Sequence, residues 1–230
     1  MLDLARIQAV TLDLDDTLWP IWPTIARAET ALQDWLAARA PLAAGVFSDP
    51  ARRLALRHRV MAEQPDLLHD LSALRQASIR LALADCQEDL GLARPAFEVF
   101  FEARQQVVLF DDAQPALAAL ARRFPLVALS NGNADVQRIG LGPYFKASVS
   151  AQGFGIAKPD PRIFHAAAAA AGVPPEAVLH VGDDAELDVL GGLAAGMQTV
   201  WVNREDKLWP HSQEPNETVT DLSELLALLH

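Results

Sequence analysis

Asp13, Asp15 and Asp16 lie within four positions at the end of the apolar stretch IQAVTLDL. Neighbouring carboxylates repel, so such a cluster calls for solvent or a cation. Three later stretches carry polar groups that could join it: Ser130-Asn131-Gly132, Lys158-Pro159, and Asp183-Asp184 with Asp188 beyond. Together these side chains could perform phosphoryl transfer. One carboxylate can attack phosphorus and form an aspartyl phosphate, dividing a single displacement into two. A second can protonate the leaving alkoxide and then take a proton from water. Two carboxylates approach a phosphate dianion only with compensating positive charge, so Mg²⁺ and a lysine are expected. Lys158 would neutralise charge on the transferring group, and Ser130, Asn131 and nearby backbone N–H groups are candidates to hold its oxygens.

Each piece alone has an ordinary reading. Many acidic loops are solvated, a single lysine is usually at the surface, and Ser130 could simply form a turn. Asp183-Asp184 before a helix could be an N-cap worth about 1 kcal/mol. A calcium loop beginning at Asp13 fails, because Leu18 and Thr24 stand where glycine and the final glutamate belong. His180 sits inside an apolar strand and reads as a packed core histidine. His58, His165, His211 and His230 show no ligand spacing, and nothing near Cys86 suggests thiolate activation. Trp19, Trp22 and His69 could touch a substrate, with core packing as the plainer account. The joint occurrence of four polar groups at successive strand ends favours a common site.

The elements that must position these groups follow from periodicity. Strands are expected at 7–14, 125–130, 177–182 and 197–202, and helices at 114–123, 160–171 and 184–195. Strands alternating with helices imply parallel βαβ units with helices on both sheet faces. Ligands in such sheets bind outside the carboxyl ends of the strands, where the polar groups lie. Alternation along an extended segment would point Asp13 and Asp15 the same way. From Thr17 to the second strand there are about a hundred residues, whereas a βα unit needs roughly 30. Helical patterns at 24–39, 51–63, 66–90 and 95–107 fill that gap, and 203–219 reads as a loop before a short terminal helix. The expected organisation is a core of 1–19 and 108–230 with a helical cap of 20–107.

The totals of the 230-residue chain bound the function. With 19 basic and 30 acidic residues the formal net charge is −11, which argues against nucleic acid or an anionic membrane as partner. An anionic small substrate would need a local positive site. One cysteine excludes an internal disulfide and suits a reducing compartment. No stretch approaches the ~18 apolar residues of a membrane span, and no secretory signal opens the chain, so a cytoplasmic enzyme is expected.

In sequence order these motifs resemble the haloacid dehalogenase-like hydrolase superfamily. Asp13, Asp15 and Thr17 match its D-x-D-x-T, Ser130 in LSNGN its second motif, and Lys158 in AKPDP its third. HVGDDAELDVLGGLAAGM matches its acidic fourth motif. The resemblance implies an α/β fold: a Rossmann-like three-layer core with a parallel sheet and an inserted all-helical cap. It implies Asp13 as nucleophile, Asp15 as general acid/base, and Mg²⁺ held by Asp13, the Asp15 backbone carbonyl and Asp183. Thr17 and Asp188 would support them, Asp188 by fixing a metal ligand or Lys158. Asp16 stands where many relatives have glycine. The implied activity is a Mg²⁺-dependent phosphatase for a small phosphorylated metabolite. LDLDDTLWP, PDLLHDLSALR and the later motif stretches look similar to bacterial phosphatases of riboflavin biosynthesis, which implies FMN or 5-amino-6-(5-phospho-D-ribitylamino)uracil as substrate. Two other readings are a 2-haloacid dehalogenase, which attacks carbon without metal, and a phosphoacceptor domain that does not turn over.

Overall fold

In the computed structural model, which describes residues 1–229, six strands form one sheet. They are β1 (Ala9–Leu12), β2 (Leu126–Ser130), β3 (Ala147–Ser150), β4 (Val178–Gly182), β5 (Gln198–Val202) and β6 (Glu217–Val219). The order is β3-β2-β1-β4-β5-β6, and every neighbouring pair is parallel. Every residue of β1, β2 and β4 is buried, which is why these segments read as continuous apolar runs. Between β1 and its neighbours β2 and β4 the connections diverge, and such a switch point leaves a crevice at the strand ends.

β1 ends at Leu12 rather than Leu14, so strand alternation does not govern Asp13 and Asp15. Asp13 N–H still donates to Val181 at 2.9 Å, and the chain then turns. Asp16 takes φ 58°, a left-handed conformation that glycine adopts freely and aspartate tolerates. By the family resemblance, this is the position where many relatives have glycine. β3 and β6 were not among the expected strands. β3 is a half-exposed edge strand without an apolar run, and β6 is three residues inside the segment read as a loop.

The chain divides into two compact units, Met1–Pro20 with Val108–His230, and Ile21–Val107; His230 itself lies outside the described residues. The second unit holds α1 (Ile21–Ala37), α2 (Pro41–Ser48), α3 (Pro50–Glu63), α4 (Leu71–Asp85) and α5 (Ala93–Arg104). Leu32, Leu36, Phe47, Ile79, Leu83 and Phe100 form its core. The helix expected over 66–90 is shorter, because Asp70 caps α4 by accepting from Ala73 N–H at 2.8 Å. Within this core Glu29 pairs with Arg75 at 2.7 Å, and the Arg75 guanidinium lies 4.3 Å from the Phe100 ring centre.

In the sheet-bearing unit α6 (Ala113–Ala121), α7 (Ala151–Phe154), α8 (Pro161–Ala171), α9 (Gly191–Ala194) and α10 (Leu222–Leu228) cover the sheet. α8 buries Ile163, Phe164, Ala167, Ala168 and Ala171 and closes at Gly172 with φ 86°. The single helix expected over 184–195 is instead a wide π-type coil, Ala185–Leu190, followed by α9. Among the described residues no helix is long and apolar enough to cross a membrane.

Candidate active site

The first expected nucleophile, Asp13, follows β1 and is 6% exposed; Lys158 is 4% exposed, and its Nζ donates to Asp13 Oδ1 at 2.5 Å. The same ammonium donates to Asp188 Oδ1 at 2.5 Å, so one lysine is held between two carboxylates from distant parts of the chain. Thr17 Oγ1 lies 3.1 Å from Asp183 Oδ1 and 3.4 Å from Asp13 Oδ2. Direct contacts thus bring Asp13, Thr17, Lys158, Asp183 and Asp188 together.

The remaining expected residues sit around this group with other bonds. Ser130 ends β2, and its Oγ accepts from Gly132 N–H at 2.9 Å. Asn131 spends both ends of its amide on the backbone of Lys158, donating to its carbonyl at 3.0 Å and accepting from its N–H at 2.8 Å. Its side chain therefore positions the Lys158 backbone. Asp15 Oδ1 accepts from the indole N–H of the fully buried Trp19 at 2.8 Å. The neighbouring acids 183 and 184 separate in function: Asp184 caps the coil after it through the N–H groups of Glu186 and Leu187, while Asp183 faces Asp13.

Electrostatically the site is short of positive charge. Oxygens of Asp13, Asp183 and Asp188 lie within 4.8 Å of one another around a single lysine. Burial pushes the Asp13 pKa up against the pull of Lys158, and Asp188 and Asp183 push the same way. Asp183 is pushed up to about 7, first by burial and then by the Asp188 and Asp16 carboxylates. Burial opposes the charge on Asp188 too, but Lys158 and the hydrogen bond from His180 hold it below the usual carboxylate range. Lys158 is likewise opposed by burial and raised above its ordinary value by Asp13 and Asp188. A cluster of hard carboxylate oxygens lacking compensation fits a small divalent cation such as Mg²⁺. Asp13 Oδ2 and the Asp183 carboxylate, which meet the Thr17 hydroxyl rather than the Lys158 ammonium, are the oxygens that could hold it, whereas the Asp188 oxygens are taken by Lys158, His180 and the Asp184 N–H.

A family model for the haloacid dehalogenase-like hydrolases matches residues 7–196, which span the whole constellation from β1 to the end of the fourth motif. The chain belongs to this family. Among relatives of this haloacid dehalogenase-like hydrolase is the 5-amino-6-(5-phospho-D-ribitylamino)uracil phosphatase of Escherichia coli K12. The two are 32% identical over 98% of each chain. A phosphoserine phosphatase of Thermus thermophilus is 36% identical over 66% of this chain and 63% of its own. Among solved structures, a chain described as 2-haloacid dehalogenase from Pseudomonas syringae pv. Tomato superposes with a TM-score of 0.91. It is 41% identical, covering 97% of this chain and 98% of that one.

Residues that motif reading passed over also bond to the site of this hydrolase. His180 is a buried core residue, as expected, yet its ring bonds Thr11 and Asp188. Trp201 donates its indole N–H to the Asp183 carbonyl at 2.7 Å. Arg204 donates to the Thr17 carbonyl at 3.0 Å and forms a two-pronged pair with Asp112 at 2.7 and 3.1 Å. A polar residue in an apolar strand was the available signal for His180. For Arg204 and Asp112, ninety-two positions apart, none existed.

Proposed function

We propose that this hydrolase is a Mg²⁺-dependent phosphatase of small phosphorylated metabolites, working through an aspartyl phosphate on Asp13. The observation that carries the reading is the Asp13–Lys158–Asp188 arrangement with Asp183 alongside, in a chain similar over its full length to a phosphatase. Asp13 attacks phosphorus while the bond to the ester oxygen breaks, and Asp15 gives the departing alkoxide a proton. Asp15 then accepts a proton from the water that attacks the phosphoaspartate, which frees phosphate and regenerates Asp13. Lys158 and Ser130 steady the phosphoryl oxygens, and Thr17 holds Asp13 and Asp183 in register. Mg²⁺ held by Asp13, Asp183 and the Asp15 carbonyl would offset the charge brought together by the dianion and the carboxylates.

FMN and 5-amino-6-(5-phospho-D-ribitylamino)uracil are the proposed substrates, on the strength of the Escherichia coli relative. A cytoplasmic setting and an absence of nucleic-acid or membrane partners accompany this reading. The helical unit 21–107 is proposed as the cap that carries substrate choice.

The likeness to a chain described as a 2-haloacid dehalogenase supports a second reading, in which Asp13 attacks carbon and halide leaves. A halide needs no proton, so that chemistry gives Asp15 and the third carboxylate no task. The deciding experiment supplies the purified protein with FMN, the ribitylaminouracil phosphate, sugar phosphates, nucleotides and 2-chloropropionate, each with and without Mg²⁺. Phosphate release that requires Mg²⁺ is expected, with one of the first two substrates preferred. Metal-independent chloride release without phosphatase activity would establish the second reading.

A further inference from the structure

Behind the ion-paired lysine lies a buried polar chain. His180 is wholly excluded from solvent in β4, directly across from Thr11 of β1. Its Nδ1 lies 2.8 Å from Thr11 Oγ1, and its Nε2 lies 3.2 Å from Asp188 Oδ1, the same oxygen that receives Lys158. The other Asp188 oxygen accepts from Asp184 N–H at 3.0 Å. A carboxylate can only accept here, so Nε2 carries the proton and Nδ1 accepts from the Thr11 hydroxyl. The tautomer is thereby fixed by Thr11 of β1 on one side and by Asp188 of the π-type coil on the other.

The ring is packed on both sides. Phe164 of α8 meets it edge-on at 5.0 Å between ring centres. Gly192 packs bare against it, since an added Cβ would lie 3.5 Å from the His180 Cβ and 2.8 Å from Thr199. Asp188 presses against Gly182, where no side chain could fit. The carboxylate that grips Lys158 is thus set by donors from β4 and the start of the π-type coil and by a wall of glycine.

We propose that His180 is a positioning residue, which acts through Asp188 to hold Lys158 where it meets Asp13. An ammonium on a flexible four-carbon stem would otherwise follow its carboxylate partner as that group rotates. This role rests on the phosphatase reading only for its kinetic consequence; the orientation of Lys158 can be read without turnover.

Two substitutions separate the bonds of the ring. His180→Gln keeps a donor near the Nε2 position and so keeps the bond to Asp188. His180→Asn keeps a partner for Thr11 and loses that bond. With p-nitrophenyl phosphate and Mg²⁺, the Asn variant is expected to lose about 10–100-fold in kcat, the range seen when such outer partners are removed. The Gln variant should stay within about fivefold of the wild type, and the Mg²⁺ concentration for half-maximal rate should not move in either. In parallel, reductive methylation of the whole protein, read by peptide mass, should label Lys158 faster in the Asn variant than in the wild type or the Gln variant. Equal kinetics and equal labelling in both variants, or losses that follow thermal unfolding alone, would overturn the proposal. Should the wild type release no phosphate from any ester, the proposed function fails, and the labelling comparison still decides the role of His180.

Discussion

Lys158 is the residue on which the site turns, because its one positive charge meets two buried carboxylates at 2.5 Å. Its backbone is clamped by the Asn131 amide, so neither end of the side chain is loose. Asp13 lies beside Asp183 and is the proposed nucleophile. Asp13→Asn keeps the size and removes the nucleophile, so phosphate release should fall at least about 1000-fold while the protein stays folded. A steady-state assay beside circular dichroism checks both parts. Asp16 illustrates a different constraint. Its backbone is left-handed, a conformation that glycine adopts freely and aspartate tolerates better than a β-branched residue. Asp16→Gly should leave stability near the wild-type value, whereas Asp16→Val should lose about 1–2 kcal/mol in urea unfolding. Equal stability of the two variants would remove this explanation.

Between elements, the loop after β1 is tied to the far end of the chain. Arg204, two residues beyond β5, donates to the Thr17 carbonyl and grips Asp112, and Asp112 also accepts from Leu222 N–H at the start of α10. Burial opposes the Asp112 charge, but the Arg204 and Leu222 bonds outweigh it and lower its pKa. A lowered folded value means that the stabilisation is complete above the unfolded carboxylate value near ~3.9 and is lost as pH falls through the folded value. Asp112→Asn should therefore cost about 1–3 kcal/mol at pH 7, and the gap to the wild type should close under acid, as followed by thermal unfolding. In the helical unit the Glu29–Arg75 pair makes a similar argument. Glu29→Ala strands Arg75 over Phe100 and should cost about 3–5 kcal/mol. These ties also mark the limit of what could be read in advance. The strands β1, β2, β4 and β5 and helix α8 announced themselves through apolar runs and the alanine-rich face closed by Gly172. β3 and β6 did not, since pairing with a neighbour makes them strands rather than their own side chains. The acids and Lys158 were legible as types near strand ends. Asn131 and Trp19 were legible as candidates but not as the partners of Lys158 and Asp15, and Trp201 and Arg204 were not legible at all, because polar and aromatic residues acquire such roles only through packing.

For the molecule as a whole, a formal charge of −11 surrounds a site proposed to receive an anion. Like charges slow encounter, and salt screens them over about 10 Å at 0.1 M. At saturating Mg²⁺, kcat/KM for a phosphate monoester should rise as KCl increases from low ionic strength. A fall would mean that local positive charge dominates the approach. Ligand linkage gives a second expectation, that millimolar Mg²⁺ raises the unfolding temperature of the wild type and raises it less in Asp183→Asn. Both observations test surroundings, whereas the central claim concerns where phosphorus goes. Its most direct measurement is an acid quench during turnover of p-nitrophenyl phosphate, followed by the mass of the peptide that contains Asp13. The added mass of one phosphoryl group is expected on Asp13 when Mg²⁺ is present, and none after chelation. Phosphate released at full rate while Asp13 stays unmodified at every quench time, or a phosphoryl group found on another residue, would contradict it.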